Sequence, residues 1–232
     1  MIETKTDKLY PPEFSAGNVR LHHCDCMDFM ASKPDGFYDL AIVDPPYGIN
    51  IMHGGGRKKE NAQGGGWAYI NRKHWDKTPP PPEYFDELQR ISKNQIIWGG
   101  NYFVKHLKSS MGWIFWDKMN HKFTTSDGEL AFTSFNCKLK VYQRTTGADK
   151  GFLNKDGGDI HPTQKSVHLY KWILHNYAND GNKIIDTHGG SFSSAIACYL
   201  EGFEFDGCEL DEEYYQKACE RFDGIIRQER LF

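Results

Sequence analysis

The sequence predicts an α/β fold in which helices flank a mainly parallel β-sheet. Short apolar runs typical of strands alternate with helical segments along most of the chain, which is the pattern of a parallel sheet. The helical segment at 166–178 is amphipathic and places Val167, Tyr170, Ile173, Leu174 and Tyr177 on one face. With 39% hydrophobic residues in a chain of 232, a core of ordinary size can form.

The individual elements follow from local signals. Prolines open the helix expected at 81–93, and a short helix is expected near 26–32 between the first two strands. Because ligands of such sheets bind beyond the carboxyl ends of the strands, residues that follow the strands are the candidate site residues. The remaining helices are expected at 166–178, 193–202 and 211–228. The strands are expected at 18–23, 39–44, 95–100, 112–118, 128–135, 138–144, 183–187 and 204–210.

Charge is distributed unevenly along the chain. The net charge is −3, which by itself argues against a nucleic-acid partner. Residues 51–150, however, carry 16 Lys/Arg and 9 Asp/Glu, a balance of +7, and the rest carries 12 and 22, a balance of −10. A basic middle within an acidic body is typical of a polyanion-binding face, and an ordinary solvated surface is the alternative.

Composition disfavours membrane, disulfide-rich and zinc proteins. No run of about 18 apolar residues is present, and the first residues lack the apolar core of a signal peptide, so we expect a cytoplasmic protein. The six cysteines form no CxxC pair, which argues against a disulfide framework. Residues 22–26, HHCDC, are the one cluster that could suggest a metal, but a second ligand pair at a zinc-type spacing is absent.

Three predicted strands end on residues that can bind a ligand. The first ends on Asp44, followed by Pro45, Pro46 and Tyr47. A carboxylate and a proline pair seldom end a buried strand without a function.

The second strand end carries the pattern of a nucleoside site. Its strand ends on Asp186 and leads through Gly189 and Gly190 into a helix. Glu209 lies 23 residues beyond Asp186 at another strand end, where an acid can hold ribose hydroxyls. A GxGxxG pattern is missing, which argues against a pyrophosphate ligand and favours a nucleoside without phosphates, such as S-adenosylmethionine.

These motifs together resemble the β-class DNA amino-methyltransferases, an S-adenosylmethionine-dependent family in which the catalytic motif precedes the cofactor motif. The resemblance covers nearly the whole chain. It implies a single Rossmann-like methyltransferase domain over 1–232, with a mobile basic loop at about 51–78 and a small insertion at about 117–160. The matching motifs, in the family's order, are LHHCDCMDFM, DPPYG, WGGNYF, WDK, HPTQKS, DTHGGSFSS and GCELDEEYYQKACERF.

The resemblance also implies roles for the cofactor-site residues. Asp186, Gly190 and Ser191 would line the methionine end of S-adenosylmethionine, and Glu209 would accept its ribose hydroxyls. Asp25 and Cys26 would face the adenine, although Asp25 could instead be a helix cap. His161, Thr163, Gln164 and Lys165 would close the pocket, although Lys165 could instead be a solvated charge.

This sequence departs from the family pattern at two places in the cofactor turn. Thr187 and His188 stand where the family usually has Pro-Phe, and Phe192 stands at the second glycine. A side chain at that glycine position would crowd the methionine moiety if it pointed into the site. A catalytically impaired DNA-binding relative is therefore one alternative function.

The catalytic motif has a chemical rationale on this resemblance. An exocyclic amine on a base is a poor nucleophile, because its lone pair is delocalised into the ring. Asp44 and the Pro45 carbonyl can accept its two N–H bonds and free the lone pair, with Pro46 fixing the backbone. Tyr47 offers a ring on which a flipped-out base can stack. In this family an Asp at this position favours adenine N6, and the alternative is cytosine N4.

The segment at 51–78 lacks periodicity and contains two glycine triplets. Loops of this length in compact domains are usually functional or disordered. We expect it to contact the DNA substrate, and a passive insertion is the alternative. The expected partner is DNA, with a homodimer implied by the resemblance only. The candidate DNA-binding residues are Arg57, Lys58, Lys59, Trp67 and Lys73.

Overall fold

A computed structural model describes residues 12–49, 76–119, 126–145, 160 and 163–229. Nine strands in this part of the chain form one sheet in the order β1-β2-β9-β8-β3-β4-β6-β5-β7. The strands are β1 (Phe14–Ala16), β2 (Val19–His23), β3 (Tyr38–Val43), β4 (Ser92–Trp98), β5 (Trp113–Asp117), β6 (Gly128–Thr133), β7 (Lys140–Gln143), β8 (Lys183–Asp186) and β9 (Glu204–Glu209). The helices are α1 (Cys26–Ala31), α2 (Pro82–Ile91), α3 (Val167–Tyr177), α4 (Ser193–Glu201) and α5 (Glu212–Glu229), with a short 3-10 turn at Gly100–Tyr102.

The centre of the sheet is parallel. Strands β2, β9, β8, β3 and β4 are neighbours that run in the same direction, so their carboxyl ends share one edge. Strand β6 lies between β4 and β5 and runs antiparallel to both, and β7 pairs in parallel with β5. This arrangement confirms the predicted α/β fold with a mostly parallel sheet. It also brings the first residues of β6 to the edge at which the parallel strands end.

The helices cover both faces of the sheet. Along β3, Leu40 and Ile42 belong to the apolar cluster with α3, α4 and α5, whereas Ala41 and Val43 belong to the cluster with α1 and α2. This alternation follows from the two-residue period of a strand. The five apolar side chains predicted for one face of α3 are all buried. The core therefore fixes the sheet from both sides and leaves its carboxyl edge for the segments that follow the strands.

Two elements differ from the sequence expectation. Helix α2 ends at Ile91 because Ser92 is already extended, with φ −127° and ψ 137°, and begins β4. Strand β1 was not predicted from the sequence; it spans three residues and pairs antiparallel with β2 at the edge of the sheet. A strand of three residues is too short to show a two-residue alternation clearly.

The first histidine of the HHCDC segment, His22, is part of a buried ionic cluster. His22 Nε2 lies 2.9 Å from the carboxylate of Asp206, which also accepts two hydrogen bonds from Arg20 and one from Tyr38. Burial alone would raise the pKa of Asp206, but the hydrogen bonds from Arg20 and His22 lower it below its usual range. His22 therefore serves the packing of β2 against β9. In the described ranges, no three His, Cys, Asp or Glu side chains are grouped so that they could hold a metal ion.

None of the helices in the described part of the chain has the length and apolar character needed to cross a membrane.

Candidate active site

A cavity of about 460 Å³ lies at the carboxyl edge of the parallel strands. The segments that follow β2, β3, β8 and β9 form most of its wall, as the strand-end argument predicts. The residues 163–165, just before α3, close another side. Twelve of the residues predicted as catalytic or cofactor-binding line it: Asp25, Cys26, Asp44, Pro45, Pro46, Tyr47, Thr163, Gln164, Lys165, Gly190, Ser191 and Glu209.

The Asp44–Tyr47 turn is held by its own side chains and by a glycine. Tyr47 donates a 2.7 Å hydrogen bond to Asp44 Oδ1, and its ring stacks on Tyr102 with centroids 5.0 Å apart. Gly99 lies beneath the ring in the left-handed region, at φ 67°, and a Cβ there would come within 2.3 Å of the Tyr47 ring. Burial and the nearby Asp44 carboxylate raise the pKa of Tyr47 well above its usual value, so the hydroxyl stays protonated and keeps donating.

Lys165 bonds directly to the catalytic turn. Its ammonium donates to Asp44 Oδ2 and lies 3.2 Å from Glu129 Oε2, and only 4% of its side chain is exposed. The alternative that Lys165 is a solvated charge is therefore wrong. Burial alone would lower the pKa of Lys165, but the carboxylates of Asp44 and Glu129 raise it above its usual value. The side chain consequently stays a cation.

Asp186 lies behind the wall of the cavity. Its Oδ2 accepts a 2.6 Å hydrogen bond from the Ser194 hydroxyl, and its Oδ1 accepts the backbone N–H of His188 at 3.1 Å. The carboxyl is buried and does not line the cavity, in contrast to its implied place at the methionine end. Burial raises the pKa of Asp186 to about 7, against the lowering effect of these two hydrogen bonds.

The departure from the family pattern at Thr187 and His188 produces a polar cluster. Tyr84 on α2 lies 2.6 Å from the Thr187 hydroxyl, which in turn lies 3.0 Å from His188 Nδ1. Burial lowers the pKa of His188 to about 4, so the ring is neutral at pH 7. Both Thr187 and His188 line the cavity, where they add hydrogen-bonding groups to its wall.

Phe192 does not crowd the cavity. Its backbone is left-handed, with φ 50° and ψ 35°, and its ring is fully buried in the apolar cluster beneath α4 and α5. The ring lies over Gly189 and Gly207, where added Cβ atoms would come within 2.0 and 2.6 Å of it. The side chain therefore points into the core, and these two glycines provide the space for it.

We expect Phe192→Ala to destabilise the protein by about 3–5 kcal/mol, because it empties a ring-sized volume in the core. Urea unfolding would measure the change in the free energy of unfolding. Leu139→Ala is the control, because Leu139 is exposed and surface changes usually stay within about 0.5 kcal/mol. A loss below about 1 kcal/mol for Phe192→Ala would show that the ring is not packed in the core.

The part of the cavity wall that follows β2 and β9 carries acidic groups. The Glu209 carboxylate accepts the backbone N–H groups of Gly190 and Asp211, each at 2.8 Å. Burial raises the pKa of Glu209 against these hydrogen bonds. Asp25 is the N-cap of α1, with its Oδ1 2.7 Å from the Met27 N–H, and it lines the cavity as well. The cap alternative for Asp25 is thus correct and is compatible with its place in the wall.

The sequence reasoning missed several cavity-lining residues. Glu129, the second residue of β6, has a weak signal as a single acid at the start of an apolar strand. Asp76 accepts the Gly48 N–H at 2.8 Å and so fixes the end of the DPPYG motif, but no local pattern marks it. Tyr170 was predicted only as a core residue of α3.

Some predicted site residues lie outside the described residues. These are His161 and the candidate DNA-binding residues Arg57, Lys58, Lys59, Trp67 and Lys73.

The wall of the cavity suits a nucleoside with a charged tail. Glu209 contributes carboxylate oxygens at the end of β9, Gly189 and Gly190 allow close approach to the backbone after β8, and the Asp44 turn follows β3 on the other side of β8. The volume of about 460 Å³ is within the usual range for small-molecule sites. These residues fit S-adenosylmethionine, the cofactor that the sequence implies.

Comparison with known proteins identifies the family. A family model described as DNA methylase, of the N6/N4 type, matches residues 56–220. The type II methyltransferase M2.MboI of Moraxella bovis is 22% identical over 90% of this chain and 89% of its own length. The DNA adenine methyltransferase YhdJ of Escherichia coli K12 is 35% identical over a shorter stretch, 29% of this chain and 23% of its own length.

Solved structures share the fold. The M1.HpyAVI–SAM complex superposes with a TM-score of 0.56 at 18% identity and covers 88% of this chain and 99% of its own. The cytosine-N4-specific PvuII DNA methyltransferase superposes with a TM-score of 0.60 at 13% identity, over 92% and 90% of the two chains. The family match extends over more than two thirds of the sequence and includes the motifs WGGNYF, WDK, HPTQKS and DTHGGSFSS and most of GCELDEEYYQKACERF. The expected cofactor is confirmed by this membership, and the chain belongs to the N6/N4 DNA methylase family of S-adenosylmethionine-dependent DNA amino-methyltransferases.

Proposed function

We propose that this enzyme methylates N6 of adenine in DNA. The observation that carries the proposal is the Asp44 carboxylate, which lies in the cavity wall with Pro45 beside it and is held in place by Tyr47 and Lys165. A carboxylate in this position is the group associated with adenine in the family that the sequence resembles. The similarity to a relative named as a DNA adenine methyltransferase supports the same substrate.

The residues of the turn would act on the target amine together. Asp44 and the Pro45 carbonyl would accept its two N–H bonds, which requires both oxygens within about 2.6–3.2 Å of the nitrogen. This pair of hydrogen bonds disfavours delocalisation of the lone pair into the ring and makes the nitrogen a nucleophile. The Tyr47 ring would stack on the base, which must leave the duplex to enter a cavity of this depth.

The cofactor would lie along the rest of the cavity. When bound, S-adenosylmethionine supplies the methyl group. Glu209 would accept the ribose hydroxyls, and Asp25 and Cys26 would face the adenine. Burial, followed by the nearby carboxylate of Asp25, raises the pKa of Cys26 to about 12, so its thiol stays neutral and uncharged at the adenine. Gly190 and Ser191 would line the methionine end, and Thr163, Gln164 and Lys165 would close the pocket.

Cytosine N4 is the second candidate target. The PvuII enzyme, which is cytosine-N4-specific, has the same fold over 92% of this chain. The amine of cytosine could donate to the same two acceptors, so the chemistry of the turn permits both bases. A homodimer is part of the proposal through family resemblance alone, and sedimentation of the purified protein would test it.

Nucleoside analysis of methylated DNA would test the proposal. Random-sequence DNA would be incubated with the enzyme and labelled S-adenosylmethionine, then digested and separated. We expect the label in N6-methyldeoxyadenosine. Label in N4-methyldeoxycytidine would select the second candidate, and labelled DNA is expected only with an intact Asp44.

Cofactor binding is expected to release a proton from Asp186. The carboxyl has a pKa of about 7 without ligand, and a positively charged cofactor near it would favour the ionised form. Calorimetry should therefore show proton release near neutral pH, and affinity should rise with pH between about 6 and 8. Asp186→Asn should remove both effects. An affinity of the parent enzyme that is constant over this range would exclude the coupling.

The same shift affects the stability of the ligand-free protein. In the folded protein the pKa of Asp186 is raised from 3.8 to about 7. The stability that protonated Asp186 contributes is therefore fully present below pH 3.8. It is lost as the pH rises through about 7. Thermal unfolding of the ligand-free protein across this range should show a decline that Asp186→Asn lacks.

A further inference from the structure

We propose that Glu129 is a positioning residue of the methyl-transfer site, which acts through Lys165 on Asp44. The inference rests on the proposed function of Asp44 and adds a residue to which neither the motifs nor the relatives assign a role. The antiparallel direction of β6 places Glu129, its second residue, at the carboxyl edge of β4. There the side chain lines the cavity, 26% exposed, between two lysines.

Two lysines and two carboxylates alternate in a row of ion pairs. Lys118 donates to Glu129 Oε1, Lys165 lies 3.2 Å from Glu129 Oε2, and Lys165 also donates to Asp44 Oδ2. Burial alone would raise the pKa of Glu129, but Lys165 and Lys118 lower it, so the carboxylate is ionised. The WDK motif thus has a structural role, because its lysine, Lys118, is the outermost member of this row of ion pairs.

Glu129 restricts where the Lys165 ammonium can lie. A lysine side chain is long and flexible, and a single partner would leave it free to pivot. Here Asp44 and Glu129 hold the ammonium from two directions, and it lies 5.1 Å from the centre of the Trp98 ring. The hydroxyl of Tyr47, at 3.4 Å, is the third group it reaches.

A fixed Lys165 in turn fixes the plane of the Asp44 carboxylate. Tyr47 holds Oδ1 and Lys165 holds Oδ2, so rotation of the carboxylate would break one of two hydrogen bonds. The acceptor for the target amine must lie within a few tenths of an ångström of its productive position. Glu129 therefore contributes to the rate through the position of Lys165.

Glu129→Gln tests the proposal, because it removes the charge and keeps the shape. We expect kcat for DNA methylation to fall by about tenfold or more, with the Kd for S-adenosylmethionine and the KM for DNA within about twofold of the parent. Glu201→Gln is the matched control, since Glu201 also pairs with a lysine, Lys171, but lies on α4 away from the cavity. A kcat for Glu129→Gln within about twofold of the parent would overturn the proposal.

A double-mutant cycle tests whether Glu129 acts through Lys165. In the Lys165→Met background, Glu129→Gln should lower kcat by less than about twofold, because the group it positions is gone. The same loss in both backgrounds would overturn the proposal. If Glu129→Gln does not fold, Lys118→Met is the milder variant. We expect Lys118→Met to lower kcat by about threefold at unchanged KM. An unchanged kcat would count against the role of Glu129 and its two lysines.

An NMR measurement separates this proposal from the proposed function. The 15N-labelled Lys165 ammonium should give a resolved, slowly exchanging Nζ signal in the parent, assigned by its loss in Lys165→Met. That signal should broaden or disappear in Glu129→Gln, whereas Glu201→Gln should leave it unchanged. A signal unaffected by Glu129→Gln would overturn the positioning role. Absence of DNA methylation by the parent enzyme would refute the proposed function alone and leave this arm interpretable.

Discussion

Replacing Asp44 by alanine is expected to reduce methyl transfer by roughly 10²- to 10³-fold or more, the loss seen when one preorganised hydrogen-bonding group is removed from an enzyme site. The variant would lack an acceptor for the target amine, and the Pro45 carbonyl alone would leave the second N–H bond unpaired. The fold should survive, because Lys165 keeps Glu129 as a partner at 3.2 Å. The Kd for S-adenosylmethionine should stay near that of the parent.

Asp39→Ala is the control for this variant. Asp39 lies near the amino end of β3, the strand that Asp44 follows, where it pairs with Lys93 and lies outside the cavity. The methylation rate of Asp39→Ala should match that of the parent. Single-turnover kinetics with labelled cofactor would measure both variants. If Asp44→Ala kept more than about a tenth of the rate, a barrier change under ~1.4 kcal/mol, the catalytic assignment of Asp44 would be wrong.

Glu209→Ala is expected to weaken S-adenosylmethionine binding by about 1.5–3 kcal/mol, or roughly 10- to 150-fold in Kd, through loss of a charged hydrogen-bond acceptor. Two effects combine in this loss. The ribose hydroxyls would lose their acceptor, and the Gly190 N–H would lose the carboxylate that holds the cofactor turn at 2.8 Å. The rate at saturating cofactor should change much less than the affinity.

Glu204→Ala is the control for the cofactor prediction. Glu204 begins the strand that Glu209 ends, and it pairs with Lys183 at the opposite edge of the sheet. Calorimetry should find its cofactor affinity unchanged. Thermal unfolding would show that both variants are folded. An affinity of Glu209→Ala equal to that of the parent would remove Glu209 from the cofactor site.

The sequence alone determined the fold class and most of the candidate site. Strand-like and helical segments alternate visibly, so the parallel centre of the sheet followed from local patterns. In a parallel sheet the carboxyl ends meet at one edge, and local patterns are therefore enough to place Asp44, Gly190 and Glu209 together. That inference needs only the order and direction of the strands.

Only the tertiary structure decided where the individual side chains point. Phe192 occupies a glycine position of the family, and its ring turns into the core because Gly189 and Gly207 leave room beneath it. Asp186 lies at a strand end, yet its carboxyl turns to Ser194 behind the cavity wall. Side-chain orientations of this kind depend on how neighbouring segments pack in the folded protein, which local patterns do not specify.

The partners of Lys165 depended on the order of strands in the sheet. Nothing in the motif HPTQKS indicates that its lysine meets Asp44, which lies 121 residues earlier in the chain. Glu129 comes to the same place because β6 inserts antiparallel between β4 and β5, an order that no local pattern predicts. The strength of an interaction between two charges depends on their distance and burial in the folded protein. For charges so far apart in sequence, tertiary packing alone sets both quantities.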